Sequence, residues 1–491
     1  MVQISGLSIW ESARGKVGWQ KVGEKKRVCS GNEQRTDQHT GSDRLGVNGM
    51  KAALIKVSML EGRGYDAMKP LIFAVFEAIT PADVEMEYID ERVEELPETL
   101  DADIIALSVE TFAARRAYEI AQKYKTEKNR VVMGGFHPTA LPEEALEYCD
   151  TVLIGDAEDT WTAYLEDYRA GVPRDRYISS NRCKMSGINF NSRAYEGKKY
   201  HKIGLVQFSR GCKFSCDFCS IGSFYQCKVR QKSIETIVQE IKGIKEKILF
   251  FIDDNIFLDE ESAFRLFEAI KPLKKKWACQ ISMDVAFHDR MLMAMRDSGC
   301  ILVLIGFESL NPDNLKLMNK AANIKVRKYE EAIQNIYKHK LMIYATFVLG
   351  YDYDTAQSID ATLRFAMDNN FAVANFNPLI PMPGTRLYER LEKEGKLIYP
   401  KWWLEEGYKY GDTAYYPASM TPDDLKEGCK NARYSFNTGH NIFKRLIRNK
   451  VHWNPFYMAV FLILNIVSRK EIHRKQGKEL GGMTGSVKYR K

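Results

Sequence analysis

Apolar residues between positions 51 and 170 fall into short runs, separated by stretches with helical spacing. Short apolar runs alternating with helices are typical of an open, parallel α/β sheet. The runs predict strands at 52–58, 84–89, 103–109, 130–134 and 151–155. We therefore expect a first α/β domain over residues 51–170, whose ligand side is the edge where the strands end.

A second series of the same kind follows a segment without periodicity, residues 171–200, which predicts a linker. Apolar runs again alternate with amphipathic stretches. The predicted strands are 205–209, 248–253, 276–283, 301–307, 342–349 and 371–376. Six such units over 201–400 predict a partial barrel, smaller than the closed eight-unit form, with its active face at the strand ends.

The two ends of the chain differ from this α/β body. Residues 1–50 are polar, rich in Gly and without periodicity, which predicts a disordered extension ahead of the strand that begins near Met50. Residues 401–491 predict a helical appendage. It opens with an aromatic-rich segment, 402–416, which is predicted either to cap the barrel mouth or to pack against the barrel.

Charge is distributed unevenly along the chain. The protein carries +8 overall, but residues 441–491 hold 12 basic and 2 acidic side chains, so the body over 51–440 is mildly acidic. An acidic body does not indicate a nucleic-acid-binding protein. The basic tail instead predicts contact with something anionic, such as a lipid surface.

The segment 443–475 combines basic residues with an apolar stretch, Phe456 to Val467, that is too short to span a bilayer. It predicts either a helix lying on an anionic membrane surface or a helix buried against the barrel. The first 30 residues contain no secretory signal, and the scattered cysteines indicate no disulfide framework. We expect a cytoplasmic protein, with membrane association as an open alternative.

The strongest chemical signal is the sequence LVQFSRGCKFSCDFCS at 205–220, which places Cys212, Cys216 and Cys219 directly after the first strand of the second series. Thiolates suit iron–sulfur clusters and zinc. Three closely spaced thiolates can hold three irons of a 4Fe-4S cluster and leave the fourth iron open. The alternatives are a structural zinc site, with Cys227 as a fourth ligand, and three unrelated thiols.

The Cys-x3-Cys-x2-Cys spacing, with Phe218 before the last cysteine, resembles the radical SAM superfamily. The preceding α/β domain resembles the group with an N-terminal, Rossmann-like cobalamin-binding domain. The resemblance implies that Cys212, Cys216 and Cys219 ligate the cluster. It also implies that S-adenosylmethionine (SAM) chelates the open iron and is cleaved to a 5′-deoxyadenosyl radical.

The resemblance also implies cofactor contacts at later strand ends of the barrel. Asp253 or Asp254 would take the place of the family's Gly-Gly-Glu grip on the SAM amino group, although Asn255 or Asp259 could instead cap a helix there. Ser282 lies near the end of the third strand. Glu308 and Ser309 match the family's Glu-Ser pair, and from the residues alone they could equally cap a helix.

In the first domain, the resemblance implies cobalamin contacts at strand ends. These are Ser108, Thr111, Gly134, Gly135, Gly155 and Glu158. From the residues alone they read as ordinary turns. No Asp-x-His-x-x-Gly motif is present, so no histidine ligand to cobalamin is expected, and His137 is predicted to be structural.

The function expected from the resemblance is cobalamin-dependent methylation of an unactivated carbon in a small-molecule or lipid-like substrate, with an external one-electron reductant. The first alternative is a cobalamin-independent radical rearrangement, cyclisation or carbon–carbon coupling. A zinc-binding or nucleic-acid-binding module is the alternative from another class. We expect the protein to be a radical SAM enzyme that does not bind nucleic acid.

Overall fold

Aliphatic runs form a six-stranded parallel sheet in the first half of the protein, in the order β2-β1-β3-β4-β5-β6. Its strands are β1 (Met50–Lys56), β2 (Val84–Asp90), β3 (Ile104–Ser108), β4 (Arg130–Gly134), β5 (Thr151–Ile154) and β6 (Arg176–Ile178). The helices between them are α1 (Leu71–Ile79), α2 (Ala114–Tyr124), α3 (Phe136–Ala140), α4 (Pro142–Leu146) and α5 (Ala157–Arg169). Each predicted strand is present, within a few residues of its predicted bounds.

The computed structural model describes residues 49–62, 64, 67–180, 184–189, 192–257, 259–320, 323 and 329–481. The predicted disordered extension therefore lies, apart from its last two residues, outside the described part of the chain. Within the region predicted as a linker, Arg176–Ile178 adds β6 to the first sheet by parallel pairing with β5. The linker prediction is wrong there, because a strand of three residues is too short to show periodicity.

The second sheet also has six parallel strands, in the order β14-β13-β12-β11-β10-β7, and it does not close. The strands are β7 (Gly204–Val206), β10 (Ile248–Phe251), β11 (Lys276–Ile281), β12 (Cys300–Glu308), β13 (Met342–Leu349) and β14 (Val373–Pro378). A separate antiparallel pair is formed by β8 (Ser209–Arg210) and β9 (Arg230–Gln231). This arrangement is the predicted partial barrel.

In the part of the chain that the structure describes, eight helices alternate with or follow the strands of the second sheet. They are α6 (Ser220–Tyr225), α7 (Ile234–Gly243), α8 (Glu260–Ile270), α9 (Asp289–Ser298), α10 (Pro312–Leu317), α11 (Tyr329–Lys338), α12 (Ala356–Asp368) and α13 (Arg386–Lys393). Short 3₁₀ helices occur at Thr111–Ala113, Arg193–Tyr195, Lys271–Leu273, Met283–Phe287 and Lys450–Trp453. Buried apolar side chains of the second sheet form one core with those on one face of the first sheet, and the other face of the first sheet has a core of its own.

Three helices follow the barrel: α14 (Pro422–Phe436), α15 (Gly439–Arg448) and α16 (Pro455–Lys475). The middle of α16 is buried, and the Asn465 side chain donates to the carbonyl of Ala372, just before β14, at 3.0 Å. Much of the 443–475 segment is thus a helix packed on the barrel. No helix in the described residues is long and apolar enough to cross a bilayer.

The aromatic segment after the barrel contacts both the first domain and the barrel. Trp402 is fully buried, with its ring 5.0 Å from that of Phe112 in the first domain, and its Nε1 donates to the carbonyl of Pro381 at 2.8 Å. Trp403 donates to Glu144 of α4 at 2.8 Å. Of the two alternatives predicted for this segment, packing against the barrel is therefore the one observed. The segment also packs against the first domain.

Candidate active site

The carboxyl edge of the second sheet opens into a cavity with about 920 Å³ of space free of protein atoms, including its mouth. Most of the barrel residues predicted from the sequence line it. These are Cys212, Cys216, Phe218, Cys219, Asp253, Asp254, Ser282 and Glu308. Thiols, carboxylates and a strand-end hydroxyl from distant parts of the chain thus meet in one place.

The loop that carries the three cysteines is fixed by its neighbours. Gly211 has φ +95°, and a Cβ there would lie 2.1 Å from the carbonyl of Lys228. The Asn319 side chain and the Arg386 guanidinium donate to the carbonyl of Ser215. Tyr351 donates to Asp217 Oδ1 at 2.5 Å. This stretch of chain is therefore held at several points before any cofactor binds.

Burial raises the pKa of the Cys212 thiol to about 11 and that of Cys216 to about 12. Both groups are therefore neutral at neutral pH unless a metal draws off the proton, which coordination does. Among the described residues, no three His, Cys, Asp or Glu side chains converge on a single metal position. Three thiols from one loop that line the same cavity fit a cluster in which each thiolate ligates its own iron.

The two carboxylates after β10 have different tasks. Asp253 accepts from the backbone of Phe208 at 3.1 Å and from the backbone and hydroxyl of Ser209 at 2.5 Å, so both its oxygens hold the chain before the cysteine loop. Burial raises its pKa to about 7. Asp254 lines the same cavity and accepts from Gly211 N at 3.0 Å through Oδ2.

Glu308 enters the cavity because of an irregularity in β12. The pairing register with β13 shifts between Gly306 and Glu308, and Glu308 has φ +61°. Such a bulge redirects a side chain. Lys320 Nζ lies 2.7 Å from Glu308 Oε1. Burial acts to lower the pKa of Lys320, but the charge and hydrogen bond of Glu308, together with the nearby thiols of Cys216 and Cys219, raise it above the usual value.

Ser309 is not among the cavity-lining residues. Its Oγ accepts from the backbone of Asn311 at 3.1 Å, and Asn311, not Ser309, is the N-cap of α10. The cavity also contains side chains that the sequence reasoning missed: Phe214, Gln280, Lys320 and Thr346. Thr346 Oγ1 is buried with no hydrogen-bond partner among the described residues, so it is open to a ligand. Alternation along β13 could have assigned Thr346 to one face of the strand, but it could not have shown that this face borders the cavity.

The predicted first-domain residues lie where β3, β4 and β5 end. Ser108 pairs with Gly134 in register, and Thr111 begins a 3₁₀ helix. Gly135 has φ +113°, and a Cβ there would lie 2.6 Å from the carbonyl of Val109. Gly155, at φ +89°, donates to Thr139 Oγ1 at 3.0 Å. These backbone conformations favour glycine and leave the strand ends free of side-chain bulk.

Two side chains near this edge form hydrogen bonds with other residues of the protein. His137 is fully buried, and its Nε2 lies 2.9 Å from the Tyr118 hydroxyl and 3.2 Å from Glu144, which matches the structural role predicted for it. The Glu158 carboxylate accepts from Arg210 at 2.9 and 3.0 Å. The Glu158 carboxylate is thus engaged inside the protein, and its predicted contact with cobalamin stays a prediction.

An open parallel sheet followed by a partial barrel with a three-thiol cavity defines a class of enzyme that works with an iron–sulfur cluster and a large cofactor. The family model of the radical SAM superfamily matches residues 206–366, and that of the B12 binding domain matches residues 58–165. The chain is a radical SAM enzyme with an N-terminal B12-binding domain. Its cofactors are a 4Fe-4S cluster, SAM and cobalamin.

Individual relatives agree with this assignment. The bacteriochlorophyllide d C-12(1)-methyltransferase of Chlorobaculum tepidum is 29% identical over 84% of this chain and 92% of its own length. The hopanoid C-2 methylase of Rhodopseudomonas palustris is 25% identical over 68% of this chain and 66% of its own. The solved structure of the radical SAM methyltransferase TsrM from Kitasatospora setae, with cobalamin and a 4Fe-4S cluster bound, shares the fold at a TM-score of 0.58 and 12% identity. The match covers 87% of this chain and 99% of that chain.

Proposed function

We propose that the enzyme transfers a methyl group to an unactivated carbon of a pigment-like or lipid-like small molecule. The observation that carries the proposal is that the three-thiol cavity and the carboxyl edge of the B12-binding sheet lie in one molecule and are joined by buried ion pairs. Relatives named for bacteriochlorophyllide and hopanoid methylation support the substrate class.

Cys212, Cys216 and Cys219 would hold the cluster. When bound, the cluster would supply the electron for SAM cleavage, and cobalamin would carry the methyl group. Both carboxylate oxygens of Asp253 already accept hydrogen bonds from Phe208 and Ser209. We therefore assign the contact with the SAM amino group to Asp254, for which only Oδ2 has such a bond within the described residues. Lys320 offers a positive charge to the SAM carboxylate, and the unpaired hydroxyl of Thr346 offers a hydrogen bond.

The cluster assignment is tested by replacing one ligand. Cys216→Ser in anaerobically reconstituted protein is expected to lose the bound cluster and to reduce the formation of 5′-deoxyadenosine to background. The reason is that a serine hydroxyl is a much poorer iron ligand than a cysteine thiolate. Cys227→Ser, an exposed cysteine nearby, is the matched control and is expected to behave like the wild type. Full iron content and turnover in Cys216→Ser would refute the assignment.

The assignment of Asp254 is tested by comparison with its neighbour. Asp254→Asn is expected to raise the KM for SAM about tenfold or more, because a charge-assisted hydrogen bond to the amino group is lost. Asp253→Asn is expected to lower the stability of the protein with a smaller change in the KM for SAM. The reverse pattern in SAM kinetics would transfer the role to Asp253.

Methyl transfer is tested with and without cobalamin, by mass analysis of products from SAM carrying a labelled methyl group. With candidate pigment and hopanoid-type acceptors, we expect label in the product only when cobalamin is present. S-adenosylhomocysteine should form along with 5′-deoxyadenosine. Turnover that is independent of cobalamin, without label in the product, would favour rearrangement or cyclisation instead.

We further propose that the protein is cytoplasmic and binds an anionic membrane surface through α15 and the turn after it. Phe443, Ile447 and Trp453 are 61, 48 and 53% exposed, and Arg448 and Lys450 are exposed beside them. Apolar side chains ringed by basic ones suit the boundary between headgroups and acyl chains. Such attachment would bring the site near a lipid-like substrate.

Vesicle flotation tests the membrane proposal. We expect the wild type to float with phosphatidylcholine vesicles that contain phosphatidylglycerol, and the triple variant Phe443→Ser, Ile447→Ser, Trp453→Ser to remain behind. The double variant Phe287→Ser, Met293→Ser removes other exposed apolar side chains and serves as the control. Equal flotation of the triple variant and the wild type would refute this contact.

A further inference from the structure

A buried group of four charges connects the first domain with the base of the cysteine loop. Arg210 Nη1 lies 2.8 Å from Asp156 Oδ1 and 2.9 Å from Glu158 Oε1. Arg230 forms an ion pair with the other oxygen of Asp156. The side chains of Arg210, Asp156 and Glu158 are at most 8% exposed. Two guanidinium groups and two carboxylates thus balance in charge away from water.

The two arginines occupy matching positions at the two ends of the cysteine loop. Arg210 is the last residue of β8 and Arg230 the first of β9, and the two are paired in register. The residues between them include Cys212, Cys216 and Cys219. Asp156, which contacts both arginines, directly follows Gly155 at the end of β5. One carboxylate of the B12-binding domain therefore bridges both ends of the loop that holds the cluster.

We propose that Asp156 and Glu158 are positioning residues, which fix the cluster loop relative to the B12-binding edge through Arg210 and Arg230. The four residues are called the loop clamp. In this role Glu158 acts through Arg210 rather than by touching cobalamin. The proposal goes beyond the proposed methyl transfer, since any reaction that uses both cofactors requires their two sites to keep a set distance.

Chemistry favours such a clamp over a purely apolar contact. Planar guanidinium groups bind carboxylates in defined directions, so a clamp of this kind fixes orientation as well as distance. Removing one partner leaves the others buried and unpaired, which is costly. Gln207 Oε1 also accepts from Arg210 at 3.0 Å, which keeps the guanidinium in one orientation. A ring contact between Phe136 and Phe224, with centroids 4.4 Å apart, adds a second link between the B12-binding domain and the loop.

Hydrogen exchange in the cofactor-free full-length protein tests the clamp independently of catalysis. In Asp156→Asn, we expect faster exchange in peptides covering residues 211–229. In Arg210→Gln, we expect faster exchange in α5 of the first domain. Glu166→Gln, which removes an exposed carboxylate from the same helix α5, is the control. If either clamp variant exchanges like the control in the opposite domain, the clamp is refuted.

Positioning makes a further demand on the loaded protein. Asp156→Asn and Glu158→Gln lie outside the barrel, yet we expect them to change the electron paramagnetic resonance spectrum of the reduced cluster with SAM bound. We expect Arg210→Gln, in turn, to weaken cobalamin binding on the order of tenfold, as two coupled sites do. Arg210→Lys, which keeps the charge, should restore part of this affinity and covers the case in which Arg210→Gln fails to fold.

Spectra and cobalamin affinities equal to those of the Glu166→Gln control would leave the four charges a merely structural pairing and overturn the proposal. Failure of the proposed function gives a different result. In that case the wild type itself would show no SAM cleavage or no cobalamin binding, while the exchange experiment would still decide whether the clamp exists.

Discussion

Backbone conformation at single residues determines how closely a large cofactor can approach the first sheet. Gly135, at the end of β4, has a positive φ and lies against the carbonyl of Val109. Gly171, in the turn after α5, has φ +75° but nothing within 4 Å of the position a Cβ would take. Both glycines have a positive φ, but Gly135 also has ψ −167°, a combination that is essentially closed to other residues, and only Gly135 is crowded by its neighbours.

Gly171→Ala is expected to lower the free energy of unfolding by about 1–2 kcal/mol, the cost of a left-handed alanine. Gly135→Ala adds an overlap with the backbone and is expected to cost about 3 kcal/mol or more and to weaken cobalamin binding. Denaturant unfolding and absorbance titration with cobalamin measure the two effects. Equal losses of stability in both variants would show that the space beside Gly135 is not filled as described.

Single residues also show where sequence reasoning ends. The cysteine spacing identified the cluster loop, because its ligands are neighbours in sequence. Lys320 and Thr346 were missed, since Lys320 lies in the turn after α10 and Thr346 lies within β13, and neither has a motif around it. Glu158 was placed at the correct edge of the sheet, but its partner Arg210 is 52 positions away in the chain, so only the folded structure shows that its carboxylate is occupied.

At the level of elements, the strands could be predicted because parallel strands covered on both faces are nearly continuous apolar runs. β12 and β13 are examples, with almost every residue buried. β6 could not be predicted, because a strand of three residues is too short to show a hydrophobic pattern. The 443–475 segment left two alternatives, because basic flanks and an apolar centre suit both a membrane surface and a packed helix. Arg445 shows how the second arises.

Arg445 lies in α15 and is completely buried. Its guanidinium donates to the carbonyls of Phe371, Ala372 and Phe436 and to Asn465 Oδ1, at 2.8 to 3.1 Å. It thereby ties α14, α15 and α16 to the start of β14. A basic residue that the sequence assigns to the charged surface is in fact the centre of this helical packing.

Arg445→Ala is expected to lower the stability of the C-terminal helices by about 3–5 kcal/mol, because four buried acceptors lose their donor. Limited proteolysis should then cut within α15 or α16. Arg448→Ala, an exposed residue on the same helix, is the control and should resist cleavage like the wild type. Resistance of Arg445→Ala to the protease would mean that apolar contacts alone hold these helices.

At the scale of the whole molecule, the chain returns to its beginning. After the barrel, Trp402, Trp403 and Tyr408 join the apolar core of the first domain. Near the end of the described chain, Gly481 donates to the carbonyl of Met59 at 2.9 Å, and Arg115 donates to the carbonyl of Leu480. The B12-binding domain is therefore completed by residues that follow the barrel in sequence, and its stability depends on them.

Trp402→Ala is therefore expected to destabilise the first domain as well as its own segment. Loss of a fully buried Trp costs about 3–5 kcal/mol, and the cavity it leaves lies beside Phe112. Hydrogen exchange should increase in β3 and α2, which precede Trp402 by almost 300 residues. Trp453→Ala, at an exposed position, should leave these peptides unchanged. If Trp402→Ala affects only peptides from the barrel and its own segment, the first domain folds without the C-terminal residues, and the two cofactor domains are independent units joined by the loop clamp.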